Sequence, residues 1–204
     1  MDERPYHHGN LRRVILDAAL EDIAEHGAAA LSLRALARRA GVSHAAPAHH
    51  FGDRAGLLTA VATEGFSLLA DALEAARTGS GTFLDVGLAY VQFAIDHPAH
   101  FAVMFEPSLY RPESEDVARE RRRAARALYG SAGTMREGAD ATLTALAGWS
   151  LAHGFATLWR SGALPRHHDD PIATARAVAL AAFRGPGGGV SAGATPRGRR
   201  KTSG

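Results

Sequence analysis

The sequence predicts an all-α fold of about nine helices, and three observations carry that prediction. Residues 31–58, LSLRALARRAGVSHAAPAHHFGDRAGLL, have the spacing of a helix-turn-helix followed at once by another helix. The remaining periodic segments repeat their apolar residues every three or four positions, as Leu11, Ile15, Ala19 and Ile23 do. Strict apolar-polar alternation, the mark of a strand, is found nowhere, and neither is an internal repeat.

The elements follow in order. Asn10 is placed to cap a first helix that runs to about His26, where Gly27 supplies a left-handed stop. Val14 and Ala18 widen its apolar stripe. Ser32 stands as N-cap before Leu33 to Ala40, in which Leu33, Leu36 and Ala37 share a face and Arg34, Arg38 and Arg39 point away from it. Gly41 makes the turn, and Val42 plugs the angle between the two helices. Ser43 is the next cap candidate, opening a helix through His50 in which Ala45, Ala46 and Ala48 permit close approach to a groove floor. Pro47 deletes about the first intrahelical bond, which is tolerable only near a terminus. Asp53 caps a long helix to about Arg77, with Leu57, Leu58, Val61, Phe66, Leu69 and Leu73 as its apolar positions.

The break at Gly79-Ser80-Gly81 precedes a helix from Thr82 to Asp96, ended by His97-Pro98. A short helix from Pro98 to Phe105 and a loop marked by Glu106-Pro107 and Arg111-Pro112 follow. Ser114 to about Tyr129 reads as a charged helix with a solvated face. Gly130, Gly133 and Gly138 bound a loop; Ala139 to Arg160 is a strongly apolar helix, and Pro171 opens a last one to Phe183. Residues 185–204, GPGGGVSAGATPRGRRKTSG, cannot bury a core and are expected to form a disordered basic tail.

The helix-turn-helix makes DNA the first candidate partner, with the helix after Ser43 as reader. From Gly9-Asn10-Leu11 through Ile15-Leu16, Ala18-Ala19, Ala40-Gly41-Val42-Ser43 and His50-Phe51 to Leu57-Leu58, the chain resembles TetR-type transcriptional regulators. That resemblance implies an all-α homodimer: a three-helix DNA-binding domain in residues 1–55, with helices at about 10–26, 33–40 and 44–50, and a ligand-binding and dimerisation domain in residues 56–184. It implies base and nearby phosphate contacts from His44, Pro47, Ala48 and His49, and a guanine contact from Arg34, whose fork can span O6 and N7. Ser43 and Arg54 take the usual backbone-contact positions, Arg54 where the family often has lysine. Ala48 is a departure, because the family very often has tyrosine there; the binding load then falls on Arg34, His44, His49 and Arg54. His50 beside Phe51 is read as structural.

Two further segments, HPAHFAVMF at 97–105 and WSLAHGFATLW at 149–159, resemble the TetR-type C-terminal domain named for its Trp-His-Gly (WHG) signature, over roughly residues 82–184. Tyr90, Phe93, Phe101, Met104, Phe105, Trp149, His153 and Phe155 are candidates to line a mostly apolar cavity for a small hydrophobic or amphipathic effector. Aromatic residues at helical spacing equally describe a core. His153 stands out as an ionisable group on an apolar helix, where burial demands a partner from ligand or protein. The last two helices are expected to form a four-helix bundle with their symmetry mates, with Ala145, Gly148, Ala152 and Ala156 allowing close approach.

Composition excludes other classes. With 204 residues and 46% apolar content the chain has a real core, and without cysteine it has neither disulfides nor thiolate chemistry. No apolar run of signal-peptide length follows Met1, and no stretch of about 18 uncharged apolar residues occurs. A cytoplasmic protein with no membrane association is the expectation. The net charge of +2 says little about nucleic acid, although arginine supplies every positive charge except Lys201. Eleven histidines raise an enzyme reading, with His97 and His100 three apart and His167-His168-Asp169-Asp170 as metal candidates. Neither has an HExxH pattern or a third ligand, and there is no phosphate loop or nucleophile elbow. The expectation is therefore no enzyme, no metal and no cofactor. The function read from sequence is a homodimeric repressor on a near-palindromic double-stranded operator, released by its effector. The alternative, motivated by Ala48, is a helical small-molecule-binding or protein-interaction regulator with weak or lost DNA binding.

Overall fold

The structure, a computed structural model, describes residues 8–79, 81–132, 139–164 and 170–183. Among them the regular elements are α1 (His8–His26), α2 (Leu33–Arg39), α3 (Ala46–Phe51), α4 (Arg54–Thr78), α5 (Phe83–Asp96), α6 (Pro98–Met104), α7 (Glu115–Ala132), α8 (Ala139–Arg160) and α9 (Pro171–Phe183), with 3₁₀ turns at Ala28–Ala30 and Pro107–Leu109. The fold class is the predicted one. The expected tail at 185–204 and the His167-His168-Asp169 cluster lie outside the described residues.

Local chemistry sets most boundaries. Gly41, at φ 65°, reverses the chain so that the Val42 amide reaches back to the Ala37 carbonyl at 3.0 Å. Asp53 caps α4 by accepting from the Gly56 amide at 2.8 Å, and Asp170 caps α9 through the amides of Ile172 and Ala173. Three capping expectations are corrected. Asn10 lies inside α1, which is already helical at His8. Ser32 holds the cap position of α2 but its hydroxyl makes no capping bond. Ser43 belongs to the turn: its carbonyl accepts from the Ala46 amide at 3.0 Å, and α3 starts at Ala46 after Ala45. Pro47 explains the shift, because a residue without an N–H fits only the first turn.

The core is continuous from α1 to α9 and is organised around α4. Leu57, Leu58, Val61 and Ala62 are fully buried, and Phe66, Leu69, Ala70 and Leu73 continue the buried side toward the second half of the molecule. The first four belong to one core with Ile15, Leu16, Ala19, Leu36 and Phe51 of the N-terminal helices. Among the described residues one helix, α4, is long and apolar enough to cross a membrane, and half of that window is buried in the fold. Helix α7 has the charged, solvated face expected of it, and a buried side as well. Val117, Ala124, Ala127 and Leu128 form a buried stripe on it, and only its other faces are charged.

Side-chain ties fasten the N-terminal helices to the rest. Asp53 also pairs with Arg111 at 2.7 Å, and the Arg111 amide donates to the Thr59 hydroxyl at 3.0 Å, which pins the loop after α6 to the start of α4. The Arg13 guanidinium of α1 donates to Glu64 of α4 at 2.7 Å, and the other oxygen of Glu64 meets Nε2 of His100 of α6 at 3.1 Å. His100 is 5% exposed, and the site where it sits is made by Gly65: a Cβ there would lie 2.5 Å from the Met104 sulfur and 3.0 Å from the His100 Cβ.

Two outcomes follow for stability. A Cβ on Gly56 would fall 2.0 Å from the Phe51 carbonyl oxygen, which belongs to backbone and cannot step aside. Gly56→Ala is therefore expected to destabilise the chain by about 2 kcal/mol despite the helix propensity it gains, whereas Gly130→Ala, with nothing within 4 Å, is neutral or mildly stabilising in thermal unfolding. Burial holds the His100 pKa below its ordinary 6.5, with Glu64 pulling the other way. The unfolded chain then binds a proton that the native state refuses, so this contribution is fully present above about pH 6.5 and is lost as pH falls toward the lower native value. Burial shifts His153 in the same direction. Urea unfolding midpoints are expected to fall from pH 7.5 to about 5, and His100→Gln to remove its share of that slope.

Candidate nucleic-acid interface and ligand cavities

Helices α2 and α3 present an exposed face built on a buried one. Leu36 and Ala37 of α2 and Ala46, Pro47 and Phe51 of α3 point inward, with Val42 packed partly between them. Arg34, Ser43, His44, Ala48 and His49 are all exposed. Arg38, one turn beyond Arg34, lies on the same side of α2 and is exposed too. Neither arginine makes an ion pair among the described residues, whereas Arg39 is held by Glu25, Glu21 and Asp22. The face therefore keeps two uncommitted guanidiniums beside two imidazoles, which is a donor-rich surface suited to phosphates and base edges. Arg38 could have been noticed in the sequence from its i, i+4 relation to Arg34.

Two of the expected interface residues do other work. Pro47 is buried, so it packs α3 against the core and offers no surface to a partner. Arg54 turns inward: its guanidinium donates to the carbonyls of Ala28 at 2.7 Å, Ala29 at 3.3 Å and Leu31 at 3.2 Å. Those carbonyls end the turn between α1 and α2, and occupying them ties the helix-turn-helix to the head of α4. His50 rests between the rings of His49 and Phe51, and Arg12 lies over the other aromatic neighbour, Phe51, at 5.0 Å.

Two cavities occupy the second half. One, of about 240 Å³, lies between α5, α8 and α9, with Phe83, Leu88, Phe155 and Phe183 in its wall. The other, of about 270 Å³, lies under α4 and α7 and beside α6, lined by Phe66, Leu69, Leu73, Tyr90, Met104, Phe105 and Trp149, with Tyr110 and Arg121. Trp149 and Leu128 are common to both. Of the eight residues expected at a ligand site, Tyr90, Met104, Phe105 and Trp149 line the second cavity and Phe155 the first, with Trp149 in both. Phe93, Phe101 and His153 line neither. Phe93 is core and packs its ring on His97 at 5.1 Å.

His153 has its partner within the protein. The Tyr90 hydroxyl lies 2.9 Å from Nδ1. A neutral phenol and a neutral imidazole share that bond, one donating and the other accepting. Burial agrees, pushing the Tyr90 pKa up and the His153 pKa down. The imidazole stacks on Phe101 at 5.2 Å and meets Phe105 edge-on at 4.7 Å. The cavity-lining residues of α4 and α7 escaped the sequence reading; the stripe of Val117, Ala124 and Leu128 was their available signal.

Among the described residues no three ligating groups gather around a possible metal. Of the two histidines three residues apart, His100 is bonded to Glu64 and His97 stacks against it at 5.7 Å.

Comparison with known proteins extends these observations. Residues 15–61 match the family model described as bacterial regulatory proteins, tetR family, and residues 83–182 match a tetracyclin repressor-like C-terminal domain. HTH-type transcriptional regulator Rv1816 of Mycobacterium tuberculosis is 31% identical over 97 residues, 45% of this chain; the match spans 42% of that relative, less than half its length. A solved protein of unknown function from Rhodococcus sp. RHA1 is 34% identical and superposes with a TM-score of 0.73, covering 89% of this chain and 97% of that one. The TetR-like regulator LfrR of Mycobacterium smegmatis, solved in complex with proflavine, is 25% identical with a TM-score of 0.62, covering 84% and 95%. With both halves matched on one continuous helical fold, the chain belongs to the TetR family, a family of transcriptional regulators rather than enzymes.

Proposed function

We propose that the chain is a cytoplasmic, homodimeric transcriptional repressor that binds a near-palindromic operator through α2 and α3 and is released by a small apolar or amphipathic effector. The observation that carries this reading is the exposed set Arg34, Arg38, His44 and His49 on a rigid helix-turn-helix, with the arginines left free of acidic partners. Arg34 takes the guanine and Arg38 a phosphate, while Ser43, Ala48 and His49 complete the contact face.

Dimerisation is supported by exposed apolar side chains on the last two helices: Leu143 (64%), Leu146 (44%) and Leu158 (47%) on α8, and Val178, Leu180 and Phe183 on α9. This revises the expected contact. Ala145, Ala152 and Ala156 are buried within the chain, and Gly148 faces Phe83, whose ring would lie 2.2 Å from a Cβ there. The leucines, rather than the small residues, form the face left for a second copy. The WHG-type assignment rests on Trp149, His153 and Gly154; the His153 ring lies 6.4 Å from that of Trp149 and is bonded to Tyr90. Effector binding is supported by the cavity under α4 and α7, and the proflavine complex of LfrR is a small-molecule precedent in this fold. Because α4 joins that cavity to the DNA-binding helices, a ligand that prefers another α4 position lowers operator affinity by its differential affinity for the two states.

Selection from a random DNA pool with the purified chain is expected to return a palindrome with half-sites about one turn, ~34 Å, apart or slightly more. Arg34→Ala should cost about 1–3 kcal/mol of operator affinity and relax the base preference at one position per half-site. Absence of any selected sequence would favour the helical ligand-binding alternative that Ala48 motivates. For the dimer, Leu146→Glu paired with Leu180→Glu is expected to give a folded monomer in sedimentation; a dimer that survives both changes places the interface elsewhere.

A further inference from the structure

The cavity under α4 and α7 is apolar along Phe66, Leu69, Leu73 and Trp149, but one end of its wall carries the exposed side chain of Arg121. The other cavity has no charged residue in its wall. Two neighbouring arginines on α7 are neutralised: Arg119 by Asp116 and Glu120, and Arg123 by Asp71, Glu74 and Glu120. Arg121, between them in sequence, has no ion pair or hydrogen bond among the described residues. Tyr110 and Arg121 line the same cavity, and the Arg121 charge opposes the upward push that burial gives the phenol pKa. The Tyr110 hydroxyl is already spent on the Met104 carbonyl at 3.0 Å.

From this juxtaposition we propose that the effector is an amphipathic anion, a carboxylate on a short aliphatic or aromatic body. Its head pairs with Arg121 at the rim and its body fills the cavity toward Trp149. The proposal rests on the reading of this cavity as the effector site and adds the chemical class of what fills it. A carboxylate matches the planar guanidinium fork with two parallel hydrogen bonds, which an alcohol or an amine cannot supply. A cavity of about 270 Å³ has room for roughly nine heavy groups at the ~30 Å³ that a liquid water occupies, about the size of an octyl chain. The position of the head also has a consequence for signalling. Arg121 shares its cavity wall with Pro107 and Tyr110 of the loop that Arg111 fastens to Asp53 and Thr59 at the head of α4, so a ligand held there bears on the segment that carries the helix-turn-helix.

Isothermal titration of the full chain with octanoate, octanol and octylammonium tests this. Octanoate is expected to bind at least tenfold tighter than either of the others. Arg121→Leu should lower octanoate affinity about tenfold and leave octanol unchanged, Arg121→Lys should keep part of the preference, and Arg122→Leu, which removes a charge outside the cavity wall, should leave it intact. Circular dichroism of the variants, whose substituted positions are exposed, checks that the fold is retained. Equal binding of octanoate and octanol, or an equal loss from Arg121→Leu and Arg122→Leu, overturns the anion assignment while leaving an apolar effector site. Binding of none of the three removes this cavity as the effector site and the assignment with it.

Discussion

Close packing along α4 is the constraint on which the rest of the molecule depends. The helix is buried over almost its whole length, first among the N-terminal helices and then in the second half, and it has glycine at the two places where another backbone or helix comes nearest. Gly56 admits the Phe51 carbonyl, which closes the turn from α3 into α4. Gly65 admits α6, with Met104 and His100 pressed against the helix. Buried side chains such as Leu57, Leu58 and Leu73 each contribute about 1.5–3 kcal/mol, yet they do so only because these approaches let both layers reach the same helix. The end of α3 and the wall of the cavity are therefore fixed by one helix.

That shared element decides how two distant sites communicate. Coupling needs an arrangement that both sites bias, and three ties converge on α4: Asp53 with Arg111, Arg54 with the carbonyls before α2, and Glu64 between Arg13 and His100. The last joins α1, α4 and α6 through one carboxylate. On the proposed effector reading, a ligand in the neighbouring cavity would bear on α6 and its His100 contact, and the same carboxylate holds Arg13 of α1. A two-sided acceptor of this kind transmits a shift in either direction, as reciprocity between effector and DNA affinities demands.

Much of this architecture was legible in sequence because helix ends are local. Gly27, Gly41 and Pro171 act through their own backbone and Asp53 through a carboxylate that caps its own helix, and the elements they bound lie within a few residues of expectation. What escaped is what depends on a partner far along the chain. Arg54 has the composition of a phosphate contact, but the carbonyls it meets are 23 to 26 residues away. Arg121 sits in an arginine-rich helix whose members look alike until Asp71 and Glu74 of another helix claim Arg123. His153 was recognised as needing a partner, and only the fold could show that Tyr90, rather than a ligand, provides it. Ser43 lies outside α3 for a local reason: Pro47 fits only a first turn, and the helix starts at Ala46, with both residues packed into the core.

The late start of α3 bears on how the chain reads DNA. A helix from Ala46 to Phe51 has fewer than two turns, and the burial of Ala46, Pro47 and Phe51 leaves Ala48 and His49 as its fully exposed positions. Ala48 offers a methyl group, suited to a thymine methyl but unable to grip a phosphate. With Arg54 committed to the interior, the cationic anchoring falls to Arg34 and Arg38 on α2. On the DNA-binding reading the supporting helix thus supplies much of the electrostatic attraction, and α3 supplies fit. Two guanidiniums per protomer make that attraction sensitive to salt through the counterions they release, whereas the apolar contact of Ala48 is indifferent to it. On that reading Arg34 joins a base contact to the charge that α2 supplies, and α3 contributes the apolar contact.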